Sequence, residues 1–341
     1  MYKFQNLNQT LIGMCRVLLA ESVPRKVRGE NCFELAAPVV IEISNPTDRY
    51  ITIPERKWNR FLPFAESLWI ALGINDLDAL PAHYCKNLHK YSDNGTNWRA
   101  GYGPRIRAYS GLSNDICVSN PKYRNIYSGH VAVADQLKYV VDALRRDKQT
   151  RQAIIDIGDP IKDDFDMILG GLKVTKDFPC TRSIQFIMVD GMLNCIVHMR
   201  SNDVLYGLSA VNIFNFTLMQ EYVANMLAFP VGKYYHVINN LHMYLNQVQQ
   251  VKRLAKFTPR TYRSPIRYQY PNEIKSITDF DRLCLKLYAY ERNVSSKASS
   301  KIIDFENSMF NDWAKVFLFH QDQTRHLTFD NPYLNELFKP K

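Results

Sequence analysis

The chain has 341 residues, 46% of them hydrophobic and 12% aromatic, which is enough to bury a large core and marks a globular protein. A formal net charge of +10 calls for an acidic partner, yet the basic residues cluster only in "PRKVRG" (24–29), "LRRDKQTRQ" (144–152) and "PRTYRSPIR" (259–267). Small phosphorylated substrates account for such clusters as well as nucleic acid does, so nucleic acid is the less favoured partner. Seven cysteines (15, 32, 85, 117, 180, 195 and 284) form an odd set without CxxC pairs or Cys/His zinc spacing. Neither a disulfide framework nor a metal centre is expected, and a reducing cytoplasm fits.

In chain order, "TLIGMCRVLLA" is interrupted by Arg16, and Leu7, Leu11, Met14, Cys15 and Leu18 recur at helical spacing. That predicts an amphipathic helix, neither signal peptide nor membrane span. No repeat and no Pro/Gly/Ser-rich linker divides the first 260 residues, so one domain is expected over 1–263. Val133, Leu137, Val140, Val141 and Leu144 mark one helix face, followed by a strand at about 152–157. "SIQFIMV" and "MLNCIVHM" are β-rich runs joined by Asp190-Gly191, a strong hairpin signal. "IFNFTLMQEYVANMLAF" is apolar nearly all round, which predicts a helix buried at the centre. Residues 264–341 read as an extension packed on this domain, with "NVSSKASSK" (293–301) a polar mobile loop and "FENSMFNDWAKVFLF" amphipathic again.

The chemistry centres on "DFPCTRSIQF" (177–186). A free cysteine is more often packed than reactive, and Cys180 alone proves little. Some twenty residues on, "RSNDV" (200–204) clusters an arginine, a serine and an aspartate at the end of the second hairpin strand. An arginine beside a thiol lowers the thiol pKa, and its planar fork can hold a phosphate. "NNLHMYLNQ" (239–247) then places His242 and Tyr244 on one face of a strand-like segment, where both could bind sugar hydroxyls. Each has a bland reading as a satisfied polar residue; the set does not.

Together, "PCTRSIQF", "RSNDVLYG", Asn212 and "HMY" resemble the thymidylate synthase and pyrimidine nucleotide hydroxymethylase family in order and spacing over 179–244. Upstream, "FAESLWIALGIND" (64–76) is similar to the family's Glu-bearing helix, "WRAGYGPRIR" (98–107) to its Tyr-Gly segment and "DQLKYVVDALRRDKQTRQAII" to its dimer-arm helix. The resemblance implies an α+β fold: a large, twisted, mixed sheet with helices on one face and a twin subunit on the other.

It also implies roles. Cys180 would be the thiolate that adds to C6 of a pyrimidine nucleoside monophosphate, with Arg200 and Ser201 on the phosphate and Arg200 helping to ionise the thiol. Asp203 would contact the pterin of 5,10-methylenetetrahydrofolate, Asn212 would read the base, and His242 with Tyr244 would meet the sugar 3′-hydroxyl. Glu66 would organise water and proton transfer, Tyr102 would stand near the C5 proton, and Arg28 would join the phosphate loop in preference to Arg25. Arg151 would reach the phosphate of a neighbouring subunit, implying a homodimer with shared sites.

Some features depart from the commonest pattern. Thr181 stands where thymidylate synthases usually have His, no tryptophan lies between Trp69 and Trp98 to shield the intermediate from water, and "NELFKPK" replaces an apolar folate-closing tail. "PCT" with "RSNDV" looks more like phage hydroxymethylases, so 5-hydroxymethylation of dUMP is expected. The alternatives are thymidylate synthesis and a dCMP or CMP hydroxymethylase. Asn212 points to uracil, but "GLSAVNIFNF" carries one residue more than the usual spacing, which leaves the base open; Gln152 stands where the arm would have a second arginine. A non-catalytic nucleotide or RNA binder would have no need of Cys180, Glu66 and Tyr102 together. A cysteine hydrolase would need a Cys/His pair with an orienting Asn that is not evident.

Overall fold

A computed structural model describes residues 1–27, 29–110, 133–166, 170–258 and 267–340. Arg28, Cys117, the basic run at 259–266 and the 263/264 boundary lie outside the described residues. The strands are β1 (Tyr2–Phe4), β2 (Val23–Val27), β3 (Glu30–Glu34), β4 (Val39–Ile43), β5 (Tyr109–Ser110), β6 (Val133–Ala134), β7 (Ile154–Asp156), β8 (Thr181–Val189), β9 (Met192–Met199), β10 (Asn202–Asp203), β11 (Val231–Ile238) and β12 (Leu241–Tyr244).

Asp190 and Gly191 both take positive φ (51° and 74°), as a two-residue hairpin turn requires, and so fix the pairing of β8 with β9. A mixed six-stranded sheet of order β1-β4-β11-β9-β8-β7 grows from this hairpin, and β10-β12-β3-β2 form a second sheet. Alternation sorts the two faces. Ile184, Val197 and His236 form one buried row across three strands, and Phe186, Cys195 and Tyr234 form the next. Gln185, Ile196 and Tyr235 form a row on the opposite face, where they are only half-buried.

The helix Ile213–Leu227 packs on β9 and β11, and every residue of it except Leu227 is buried, as its all-round apolar sequence predicts. The helix Leu62–Leu72 is buried along its whole length. Leu7, Leu11, Met14, Cys15 and Leu18 all face inward from the helix Leu7–Glu21, whose first turn is capped by the Asn6 side chain. No helix among the described residues is long and apolar enough to cross a membrane.

Residues beyond 267 are tied to the central helix by polar groups. Glu221 accepts the Tyr270 N–H (3.0 Å) and Asn225 accepts the Ile274 N–H (2.9 Å). The polar stretch 293–301 is not all loop: the helix Ile277–Ser295 runs through its first three residues, because the Ser295 hydroxyl bonds back to the Glu291 carboxylate. Lys297, at φ 60°, lies just past the helix end.

Glu221 also neutralises Arg49 at 2.6 Å, with both side chains 1% exposed. Glu221→Gln should leave a buried cation without its counter-charge and lower the unfolding free energy by about 3–5 kcal/mol, read from the urea midpoint. Arg49→Met combined with Glu221→Leu should recover most of that loss; equal destabilisation of single and double variants would contradict this account.

Candidate active site

Cys180 is the residue before β8, and it is half-buried. The β8–β9 ladder slips between Thr181 and Ser183, so that Arg200 stands across from Cys180 and donates its backbone N–H to the Cys180 carbonyl at 2.8 Å. The Arg200 side chain turns back over the same loop. Nε donates to the Pro179 carbonyl (2.9 Å), Nη2 to the Phe178 carbonyl (3.1 Å), and Nη2 also lies 3.7 Å from the Cys180 sulfur. The guanidinium sits 4.6 Å from the Phe178 ring centroid. An anionic sulfur here has a charge-assisted donor in place.

Tyr102 opens the helix Tyr102–Arg107, and its hydroxyl accepts the Thr181 N–H at 3.2 Å. Burial, with the Cys180 thiol next in effect, holds this phenol well above its ordinary range, so it stays protonated. Glu66 lies in the buried Leu62–Leu72 helix, close enough to act on Tyr102. Burial pushes its carboxyl up to about 7, and a hydrogen bond with Asn215 opposes the shift. A carboxyl at that value can take or give a proton at neutral pH.

On the second sheet, Asp203 pairs with His242, and His242 with Glu34. Asp203 Oδ1 accepts the N–H groups of Leu205 (2.7 Å) and Tyr206, capping the π-helix Val204–Asn212. Burial raises its carboxyl, opposed by the Tyr206 N–H, by His242 and by the Gln247 side chain. Ser201, Asn240 and His242 form a triangle: Ser201 Oγ is 3.3 Å from Asn240 Oδ1 and 3.4 Å from His242 Nδ1, and His242 Nδ1 is 3.1 Å from Asn240 Oδ1. Asn240 Oδ1 can only accept, so His242 Nδ1 is the donor in that contact. Tyr244 stacks edge-on against His242 (5.3 Å), and burial raises its phenol, with Asp203, Glu30 and Cys180 adding to the effect.

Asn212 is buried at the end of the π-helix. Gly207 is its neighbour for a steric reason: a Cβ there would lie 2.3 Å from Asn202 Nδ2 and 3.3 Å from Asn212 Nδ2. Both amides therefore converge on the bare Cα. The structure thus gathers Cys180, Arg200, Tyr102 and Glu66 from one side and Ser201, Asp203, His242 and Tyr244 from the other, with contacts or electrostatic coupling joining them. Arg151 is not among them. It is exposed, and its carbonyl accepts from Gln185, five residues and about 16 Å along β8 from Cys180. Arg25, passed over in favour of Arg28, pairs with Glu34 at 2.5 Å on an exposed strand.

Sequence reasoning missed the support beneath these groups. The Tyr234 hydroxyl donates to His236 Nδ1 (2.7 Å) and His236 Nε2 to Asn202 Oδ1 (2.9 Å); burial depresses His236 to about 3, so the string is neutral. Asn240 is held by Glu34 at 2.8 Å. The only sequence signal was the pair of asparagines ahead of "LHMY".

The chain belongs to the thymidylate synthase family, whose model matches residues 42–302. It is 32% identical over 248 residues to a deoxyuridylate hydroxymethyltransferase of Bacillus phage SP01, covering 72% of this chain and 60% of that protein. It is 30% identical over 209 residues to the protein of that name from Delftia phage PhiW-14 (60% and 52% covered), and 29% over 279 residues to that of Pseudomonas phage M6 (79% and 71%). The chain thus spans less than two thirds of the first two relatives. The α+β fold and the mixed sheet expected from the resemblance are those of the structure.

The raised carboxyl of Glu66 has a sign that can be checked. Its contribution to stability is fully present below the ordinary value of 4.5 and is lost as pH rises through about 7. Glu66→Gln stays neutral throughout, so its stability relative to wild type should rise across that window by on the order of 3 kcal/mol, at ~1.4 kcal/mol per pH unit. Urea midpoints on either side of the window measure it; a constant difference would mean that Glu66 titrates normally.

Proposed function

We propose that this chain transfers a one-carbon unit to C5 of dUMP and releases 5-hydroxymethyl-dUMP. The observation that carries the proposal is the Cys180 sulfur under Arg200 Nη2 at 3.7 Å, with Tyr102 bonded to the next residue. Attack of the thiolate on C6 turns C5 into a carbon nucleophile, which is covalent catalysis by an activated cysteine. Asn212 offers both a donor and an acceptor and so matches the uracil edge. Tyr102, protonated and bonded to the Thr181 N–H, would handle the C5 proton, and Glu66 would pass that proton to or from water. His242 and Tyr244 would meet the sugar, and Ser201 with Arg200 the phosphate.

The residues fit a reduced folate. Asp203 is a buried carboxylate beside His242 and Gln247, an acceptor that suits a ring N–H donor. When bound, 5,10-methylenetetrahydrofolate supplies the one-carbon unit at C5. Water provides the hydroxyl oxygen, so dUMP, the loaded folate and water give the hydroxymethyl nucleotide and tetrahydrofolate. The proposal includes a cytoplasmic site of action and a homodimer. The open face of the six-stranded sheet, with Ile196, Tyr235 and Val237 half-buried, would be the interface, and Arg151 sits beside Gln185 of that face.

Two outcomes follow. With methylenetetrahydrofolate, dUMP should gain the mass of a hydroxymethyl group and tritium should leave C5 without the absorbance rise of dihydrofolate, while Cys180→Ala should release none. A 5-methyl product with stoichiometric dihydrofolate would instead make the enzyme a thymidylate synthase. Mixing inactive Arg151→Ala and Cys180→Ala subunits should restore activity in heterodimers; no recovery would confine each site to one chain.

A further inference from the structure

Two segments that carry different parts of the site are fastened to each other by a reciprocal pair of aspartates. Asp177, three residues before Cys180, accepts the backbone N–H of Arg99 (2.5 Å) on Oδ2 and that of Ala100 (3.3 Å) on Oδ1. Those two residues lead directly into Tyr102. In return Asp93, upstream of Arg99, accepts the Lys176 N–H (3.1 Å) and the Thr175 hydroxyl (2.5 Å). Each carboxylate thus captures backbone from the other segment. The Arg99 guanidinium spans the joint, donating to the Asp177 carbonyl, the Lys162 carbonyl (2.8 Å) and Asp163 (3.2 Å), with Nε 3.8 Å from Asp93.

Asp177 is only 8% exposed, and burying a carboxylate is costly where an apolar side chain would fill the same space. What the carboxylate adds is direction: its two oxygens fix two successive peptide N–H groups just ahead of Tyr102. Arg200 holds the other side of the same loop through the carbonyls of Phe178 and Pro179. Cys180 and Tyr102 therefore lie on segments whose relative position is set at the Asp177 joint, and the Tyr102 hydroxyl to Thr181 N–H bond reports that position.

We propose that Asp177, with Asp93 as its counterpart, is a positioning residue that sets the placement of the Tyr102 hydroxyl relative to the Cys180 thiol. It rests on the reading of Cys180 as nucleophile and Tyr102 as its proton-handling neighbour. The test compares Asp177→Asn, which keeps the shape but turns an NH2 toward one of the N–H donors, with Asp93→Ala, which opens the other half of the joint.

Amide exchange followed by mass spectrometry should show Thr181 exchanging at least about tenfold faster in both variants, with the β9 segment unchanged. In turnover, kcat for tritium release should fall about 10- to 100-fold, as expected when reacting groups are displaced, while KM for dUMP moves less than about threefold. Adding Tyr102→Phe to Asp177→Asn should cause little further loss, because both changes remove the same arrangement. Unchanged Thr181 exchange, a kcat within about twofold of wild type, or losses that multiply would overturn the proposal. Should wild type itself release no tritium from dUMP, the functional reading fails, and the exchange measurement alone decides whether the joint orders Tyr102.

Discussion

The carbonyl of Arg182 accepts two N–H groups, from Ile157 (2.9 Å) and Gly158 (3.2 Å), at the place where β8 takes on one residue more than β9. Up to Ser183 the register is the one dictated by the Asp190-Gly191 turn. Continued unbroken, it would set Ser201 across from Cys180, and Arg200 would point to the other face. The extra residue brings Arg200 opposite the thiol instead. Gly158 lies against the same residue: a Cβ there would meet the Arg182 guanidinium at 2.2 Å, so the bare Cα leaves that side chain room where it lies. The pairing of thiol and cation is thus a product of strand register, which a rigid sheet can hold to within the tolerance that chemistry needs.

The positive charge of the chain reads differently once placed. Arg99, Arg105 and Arg107, all within the Tyr-Gly segment, are buried in ion pairs rather than offered to a ligand. Arg105 meets Asp163 at 2.6 Å, and Arg107 meets Asp135 (2.9 Å) and Asp281 (2.7 Å). A buried pair of this kind adds little net stability but fixes direction, since each guanidinium has few acceptable orientations. Together they hold the short Tyr102–Arg107 helix, which is too short to hold itself. These arginines are therefore internal scaffolding for one tyrosine, and the net charge is carried by other residues.

The hairpin, the amphipathic first helix and the central helix were legible because each rests on a local rule: a turn dipeptide, a period of 3.6, or an apolar run longer than a strand. The bulge at Arg182, the Tyr234–His236–Asn202 string and the hold of Glu34 on Asn240 were not. In each, the residues that meet are far apart in sequence or on different strands, and each alone looks like an ordinary polar side chain. His236 is an example: sequence offers a histidine in a β-rich run, and only the register across β9 and β11 shows it to be buried, neutral and bonded at both nitrogens. The tie between Glu221 and residue 270 was hidden for the same reason.

The five-residue step from Gly207 to Asn212 shows how sequence spacing becomes geometry. In an α-helix each residue turns the next by about 100° around the axis, so the width of this turn decides where Asn212 faces. The segment is instead a π-helix, in which the Ile213 N–H reaches back five residues to the Leu208 carbonyl. Wider turns are poor formers on their own, and here neighbours compensate: Ser209 Oγ donates to the Val204 carbonyl (2.8 Å), and Arg56 donates to the Leu205 carbonyl and to Ser209 Oγ (3.3 Å). Asn212 abuts Gly207 and leads into the helix Ile213–Leu227. The wide turn thereby sets the Asn212 amide against the bare Cα of Gly207, beside the Asn202 amide.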